Sequence, residues 1–155
     1  MKIAIACDHR GYEAKRRLVG ALKGLGHDVT DLGCETPVSC DYMDHGVPAA
    51  RAVASGCCDL GILIDGSGIG MSIIANKITG VRAALVHDEV TARVAREHNH
   101  CNVLCMGADL LGETQIRKIV QVFLATLCGE GRHARRVEKL NKIEQEERTG
   151  VRASV

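Results

Sequence analysis

The segment from Gly61 to Lys77, Gly-Ile-Leu-Ile-Asp-Gly-Ser-Gly-Ile-Gly-Met-Ser-Ile-Ile-Ala-Asn-Lys, constrains the fold more than any other part of the chain. An apolar run, Leu60 to Ile64, breaks off at Asp65-Gly-Ser-Gly-Ile-Gly, and helix-compatible residues follow from Met71. A run this short and uninterrupted fits a strand buried on both faces. The pattern reads as buried strand, glycine-rich turn and helix N-terminus. Gly66, Gly68 and Gly70 allow positive φ and bring backbone N–H groups close to a ligand. Such donors suit a phosphate, or an oxyanion that exists only during a reaction. Asp65 stands at the lip of the turn, so a proton acceptor adjoins groups able to hold negative charge. The motif is not a Walker loop, because no Gly-Lys-Ser/Thr follows, and its spacing does not match a dinucleotide fingerprint. Glycine-rich turns also arise for steric reasons alone, so a function requires partners elsewhere in the chain.

Those partners follow from the alternation of the chain. Apolar runs at Ile3–Cys7, His27–Leu32, Leu60–Ile64, Val81–Val86 and Asn102–Met106 have the length of buried parallel strands. Residues 12–25 put Ala14, Leu18, Ala21, Leu22 and Leu25 on one helical face and Lys15, Arg16 and Lys23 on another, with Gly26 as the stop. Residues 113–127 place Ile116, Ile119, Val120, Phe123 and Leu127 on one buried stripe. The expectation is an α/β fold: a three-layer α/β/α sandwich around a five-stranded, mostly parallel, Rossmann-like sheet, with an extra C-terminal helix. Ligands in such sheets bind at the carboxyl ends of strands, near the reversal of strand order. Asp8-His9, Asp65 to Gly70 and His87-Asp88 all follow strands and can face that rim.

At 155 residues the chain is long enough for one domain with a proper core. A hydrophobic content of 46% and a net charge of +1 exclude a disordered chain and give no support for a nucleic-acid binder. One Phe, two Tyr and no Trp leave no stacking platform for bases. No apolar run approaches the roughly 18 residues that cross a bilayer, and no signal peptide is evident, so the expected location is cytoplasmic. The single domain is expected over 1–148, with residues 149–155 as a flexible tail. Within it, residues 134–148 form a charged helix whose apolar seam is only Val137, Leu140 and Ile143, as expected of a helix that packs on another subunit or lies at the surface; a subunit interface is the expectation here. The eight cysteines contain no Cys-x-x-Cys pair and several lie in apolar segments, so they read as buried free thiols. Only His98-Asn-His100-Cys101 hints at a metal, and it lacks a fourth ligand; no metal and no cofactor are expected.

Several motifs in fixed order carry a resemblance. They are Asp8-His9-x-Gly11, Asp41-Tyr42, Gly66-Ser67-Gly68-Ile69-Gly70-Met71-Ser72 with Ala75-Asn76-Lys77, Arg96-Glu97-His98-Asn99 with Asn102-Val103-Leu104, and Gly131-Arg132-His133 with Arg136. Over residues 1–147 the chain resembles the ribose-5-phosphate isomerase type B family, which includes galactose-6-phosphate and allose-6-phosphate isomerases. The resemblance implies an aldose–ketose isomerase of a phosphorylated sugar, working through a cis-enediolate. It also implies a homodimer or dimer of dimers with the active site shared across the interface. Carried onto this chain, it makes Ser67 and His98 the ring-opening pair. The amides of Gly66, Gly68, Ile69 and Gly70 would stabilise the enediolate oxygen. Asp8 and Tyr42 would contact the sugar, Asn99 would line the site, and His9, Arg132 and Arg136 would hold the phosphate.

Two positions depart from that pattern. Most of the family has cysteine as the base at the position of Asp65, and another branch has glycine there with a glutamate base aligned with Met71. Here Asp65 takes the cysteine's place, and a carboxylate can do the work, as a glutamate does in triosephosphate isomerase. Many relatives also carry a phosphate-binding arginine where this chain has Asp109, a reversal of charge that would repel a phosphate unless Arg10 compensates. The reading is a ribose 5-phosphate to ribulose 5-phosphate isomerase with Asp65, Ser67 and His98 as catalytic residues. Three alternatives stand beside it: an isomerase of another tetrose, pentose or hexose phosphate, an inactive sugar-phosphate sensor, and a flavodoxin-like nucleotide binder.

Overall fold

A computed structural model of the chain describes residues 1–150; the last five residues of the expected tail lie outside the described residues. The elements are β1 (Lys2–Cys7), α1 (Tyr12–Gly24), β2 (Asp28–Asp31), α2 (Tyr42–Ala54), β3 (Leu60–Asp65) and α3 (Ile69–Ala75), then β4 (Ala83–Leu85), α4 (Glu89–Asn99), β5 (Val103–Gly107), α5 (Glu113–Ala125) and α6 (Arg132–Thr149). The five strands form one sheet in the order β2-β1-β3-β5-β4. Every pairing is parallel, so the sheet is wholly rather than mostly parallel. Strand order reverses between β1 and β3, which puts the ends of these two strands side by side at the switch point.

Alternation of side chains along the central strands separates two cores. Ile3, Ile5, Ile62, Ile64, Leu104 and Met106 pack with Leu18 and Leu22 of α1, Ala92 and Ala95 of α4, and the Ile116, Ile119, Val120 and Phe123 stripe of α5. Ala4, Ala6, Leu63 and Cys105 face the other way, against Ala49, Ala50 and Val53 of α2 and Met71, Ile74 and Ala75 of α3. Among the described residues, no helix is long and apolar enough to cross a membrane.

Several boundaries differ from the sequence expectation, for identifiable reasons. Helix α3 begins at Ile69, not Met71, because Gly68 at φ 80° serves as its N-cap. Leu127 lies past the end of α5 and is exposed, so it drops out of the buried stripe. Lys15 is buried rather than solvent-facing; its Nζ donates to both carboxylate oxygens of Asp31 (3.0 and 2.9 Å) and to the Cys34 carbonyl (2.9 Å). A buried ammonium is tolerated only with such partners. Helix α6 runs on to Thr149 and ends at Gly150, so the tail begins later than position 149.

The turn after β3 depends on two close approaches. A Cβ at Gly68 would clash with Leu85 and lie 2.8 Å from the Met106 carbonyl carbon, and one at Gly107 would lie 2.7 Å from the Ser67 carbonyl. Gly68→Ala therefore combines a left-handed φ with steric overlap and is expected to lower stability by about 1–3 kcal/mol. Urea unfolding checks this: the midpoint falls while the m-value stays constant.

Candidate active site

Asp65 ends β3 and is only 5% exposed. Its Oδ1 accepts the amides of Ser67 (2.8 Å) and Gly68, and its Oδ2 accepts the amide of Met71 (3.0 Å). The carboxylate thus closes its own glycine turn and caps the start of α3. This corrects the expectation for the turn amides. Gly68 N–H is turned inward onto Asp65, and Ile69 N–H donates to the Ser67 hydroxyl oxygen (3.2 Å), so neither is open to a substrate oxyanion. Among the described residues, the amides of Gly66 and Gly70 have no hydrogen-bond partner, and the Ser67 hydroxyl hydrogen is likewise unpaired. Three donors therefore remain at the lip.

The other residues of this pole close around the turn. Asp8 is buried, and its Oδ1 accepts the amides of Arg10 (2.8 Å) and Gly11 (3.1 Å), which folds the loop after β1. His9 Nδ1 accepts the Cys40 amide (3.3 Å), leaving Nε2 to carry the hydrogen. Asp41 caps α2 by accepting the Met43 amide (3.0 Å), and this cap sets Tyr42 at the helix start. The Tyr42 ring and Asp65 Oδ2 both approach Gly70, where a Cβ would lie 3.0 Å from the ring and 3.1 Å from the carboxylate. Asp88, ranked from sequence with His87 as a rim residue, has a structural role: it caps α4 through the Thr91 amide (2.7 Å). That bond holds its carboxyl below the ordinary range.

His98, Asn99, Arg132 and Arg136 are not at this pole. Helix α4 runs back from the end of β4 to the start of β5, so His98 and Asn99 sit at the amino-terminal edge of the sheet. Gly61 pairs with Val103 and Asp65 with Gly107, which separates the two edges by about 13 Å of strand. The second pole is tied together locally. Gly129 N–H donates to the Glu97 carbonyl (2.9 Å), where any Cβ on Gly129 would clash, and this close approach brings the start of α6 onto the end of α4. Arg82 Nε donates to the Asn99 carbonyl (3.2 Å). The rings of His98 and His133 stack with centroids 4.1 Å apart and 7° between planes, and Arg132 and Arg136 extend from the same helix start.

His133 is the residue that sequence reasoning passed over. It stood in a motif without a role, and nothing in a separation of 35 positions signals a stack with His98. The supposed metal cluster splays apart: His98 stacks on His133, His100 Nε2 bonds the Gly129 carbonyl (2.7 Å), and Cys101 is buried, its thiol pushed up to about 11 by burial. Among the described residues, no group of three or more His, Cys, Asp or Glu is placed to hold a metal ion.

Desolvation, and then the like charges of His98, Arg132 and Arg136, lower the pKa of His133. Its folded value lies below its unfolded value, so acidification through the window beneath about 6.5 favours the unfolded chain, and stability rises with pH there. NMR titration is expected to place the His133 midpoint below that of an ordinary histidine, and His98→Gln is expected to move it upward.

Comparison with known proteins agrees with these motifs. The sequence profile of a family described as Ribose/Galactose Isomerase matches residues 3–140. The ribose-5-phosphate isomerase B of Escherichia coli is 40% identical over 144 residues, covering 93% of this chain and 97% of that protein. The structure of ribose-5-phosphate isomerase B from Clostridium thermocellum superposes with a TM-score of 0.93 at 44% identity, covering 95% of this chain and 99% of that one. That of the Mycoplasma genitalium enzyme with bound ribulose-5-phosphate gives 0.90 at 40% identity, covering 94% and 97%. With the fold, the glycine turn and the motifs in agreement over nearly its whole length, the chain belongs to the ribose/galactose isomerase family of sugar-phosphate isomerases.

Proposed function

We propose that the chain interconverts ribose 5-phosphate and ribulose 5-phosphate, with Asp65 as the base. The observation that carries this reading is a carboxylate held against three unpartnered donors, the Gly66 and Gly70 amides and the Ser67 hydroxyl. In the open-chain aldose, Asp65 takes the proton from C2. The C–H electron pair becomes the C1=C2 double bond, and negative charge moves onto O1, where the donors stabilise it. Return of the proton to C1, with transfer of the O2 proton, yields the ketose. A carboxylate has about four lone-pair directions, so three amide bonds leave one on Oδ2 for the substrate. That oxygen and the Tyr42 ring both approach Gly70, which supports a sugar bound against the tyrosine.

A panel of tetrose, pentose and hexose phosphates, with ketose formation measured directly, tests the reaction. A chain that binds one of them but turns over none is a sensor. Asp65→Asn tests the base: it is expected to lower kcat by about 10² or more. It also sets an amide nitrogen against a backbone N–H, which is expected to cost about 1–3 kcal/mol of stability. Asp65→Cys separates the two effects, because a thiolate can still accept a proton although it caps poorly. Near wild-type kcat in Asp65→Asn would leave Asp65 as a cap only.

The ring-opening pair demands a second copy of the chain. Ser67 and His98 lie at opposite edges of one sheet, so His98, Asn99, Arg132 and Arg136 can serve the Asp65 turn only from another subunit. The exposed Leu140 and Ile143 of α6 offer that subunit an apolar contact. A closed twofold dimer then builds two equivalent sites together. Mixing inactive Asp65→Asn with inactive His98→Ala protein is expected to restore turnover after subunit exchange, since each mixed dimer regains one intact site. Absence of rescue, with exchange verified by mass spectrometry, would assign both residues to one site of one chain.

A further inference from the structure

The loops after β1 and β5 meet over Gly66 in an ion pair. Arg10 Nε donates to Asp109 Oδ2 (3.0 Å) and Nη2 to Oδ1 (2.8 Å), a side-on bidentate contact. A Cβ on Gly66 would lie 2.8 Å from Asp109 Oδ2 and 3.6 Å from Arg10 Cγ, so the pair rests directly on the turn. Both backbones are fixed as well. The Arg10 amide donates to Asp8 Oδ1 (2.8 Å), and the Ala108 and Asp109 amides donate to the carbonyls of Asp65 (2.8 Å) and Gly66 (3.1 Å).

Stability does not account for this arrangement. The side chains are 57% and 42% exposed, and an exposed pair of this kind contributes about 0–1 kcal/mol. Stereochemistry gives a better account. A guanidinium carries five N–H groups, and Asp109 takes one from Nε and one from Nη2. Among the described residues Nη1 makes no hydrogen bond, and with the second N–H of Nη2 it forms an end-on edge that matches the oxygens of a phosphate or carboxylate. The pole already holds the carboxylates of Asp8, Asp65 and Asp109, so an anionic substrate needs a cation there. Arg10 is held in one orientation, so little rotamer freedom is lost on binding.

We propose that Arg10, oriented by Asp109, is a ligand for the anionic end of the substrate, supplied by the same subunit as Asp65. This rests on the sugar-phosphate isomerase reading and adds to it a specificity-determining residue. Asp109, although negative, acts as a positioning residue whose charge is spent on Arg10.

Steady-state kinetics with a sugar phosphate that the wild type turns over, using Arg10→Ala, Arg10→Lys and Asp109→Ala, tests the proposal. Loss of a charge-assisted bidentate contact is expected to raise KM about 10- to 100-fold in Arg10→Ala, with kcat changed less than about threefold. Arg10→Lys is expected to recover part of the loss. Asp109→Ala is expected to raise KM by less than Arg10→Ala, and the double variant to be no worse than Arg10→Ala alone. An unchanged KM in Arg10→Ala, or a fall in kcat that merely follows a lower Tm, overturns it. Calorimetry with inorganic phosphate separates this idea from the reaction on which it rests. If no sugar phosphate is turned over but Arg10→Ala still weakens phosphate binding at least tenfold, the isomerase reading fails and the anion site stands. Equal phosphate affinity in wild type and Arg10→Ala removes the anion site.

Discussion

The Asp65 carboxylate, bonded to the amides of Ser67, Gly68 and Met71, is the interaction on which the rest of the site depends. It converts the end of a buried strand into a helix start within four residues. Gly68 can then cross to φ 80° beneath Leu85, and Gly107 can lie against the Ser67 backbone. The same bonds decide which donors remain outward. A turn that looks uniformly donor-rich in sequence is divided by this carboxylate into an inner set that stabilises the fold and an outer set of Gly66 N–H, Gly70 N–H and the Ser67 hydroxyl. On the proposed function, proton transfer and stability share this carboxylate, and its three amide bonds alone make a neutral amide at position 65 a poor imitation of it.

The second constraint is the geometry of a parallel sheet. Each crossover helix begins near the carboxyl end of one strand and returns the chain to the amino end of the next. Residues at helix ends, such as His98, are therefore delivered to the pole opposite the strand-end residues, such as Asp65. One chain thus carries two separate groups of polar residues: Asp8, His9, Tyr42 and the glycine turn at one edge, and His98, Asn99, His133, Arg132 and Arg136 at the other. The proposed sharing of a site between copies would join the two groups without moving any element, and the exposed Leu140 and Ile143 of α6 are apolar residues available for such a contact.

Arg10 and Asp109 illustrate how a partner offsets the charge of one residue. An unpaired aspartate over Gly66 would repel an anionic substrate. Paired side-on with an arginine whose backbone is itself tied to Asp8, it presents a guanidinium edge instead. The electrostatic character of the lip is then set by the arrangement of the pair rather than by the sign of the residue at position 109.

Much of this was legible in the sequence because it rests on local pattern. Uninterrupted runs such as Leu60–Ile64 specify strands buried on both faces, and their alternation with helical periods leaves few topologies other than a parallel sheet with its ligands at the strand ends. The glycine spacing after Asp65 located the turn, because backbone conformation there is a property of those residues. What the tertiary structure decided involves partners distant in the chain. Lys15, placed by periodicity on the face of α1 opposite the apolar one, is buried because Asp31 and the Cys34 carbonyl lie within reach of its ammonium. His133 acquired a place only when Gly129 met the Glu97 carbonyl and laid its ring on His98. The inward direction of the Gly68 amide and the pairing of Arg10 with Asp109 likewise depend on atoms a few ångströms apart in space. Periodicity carries the direction of side chains relative to their own element, but it carries no information about which distant group satisfies a donor or a charge.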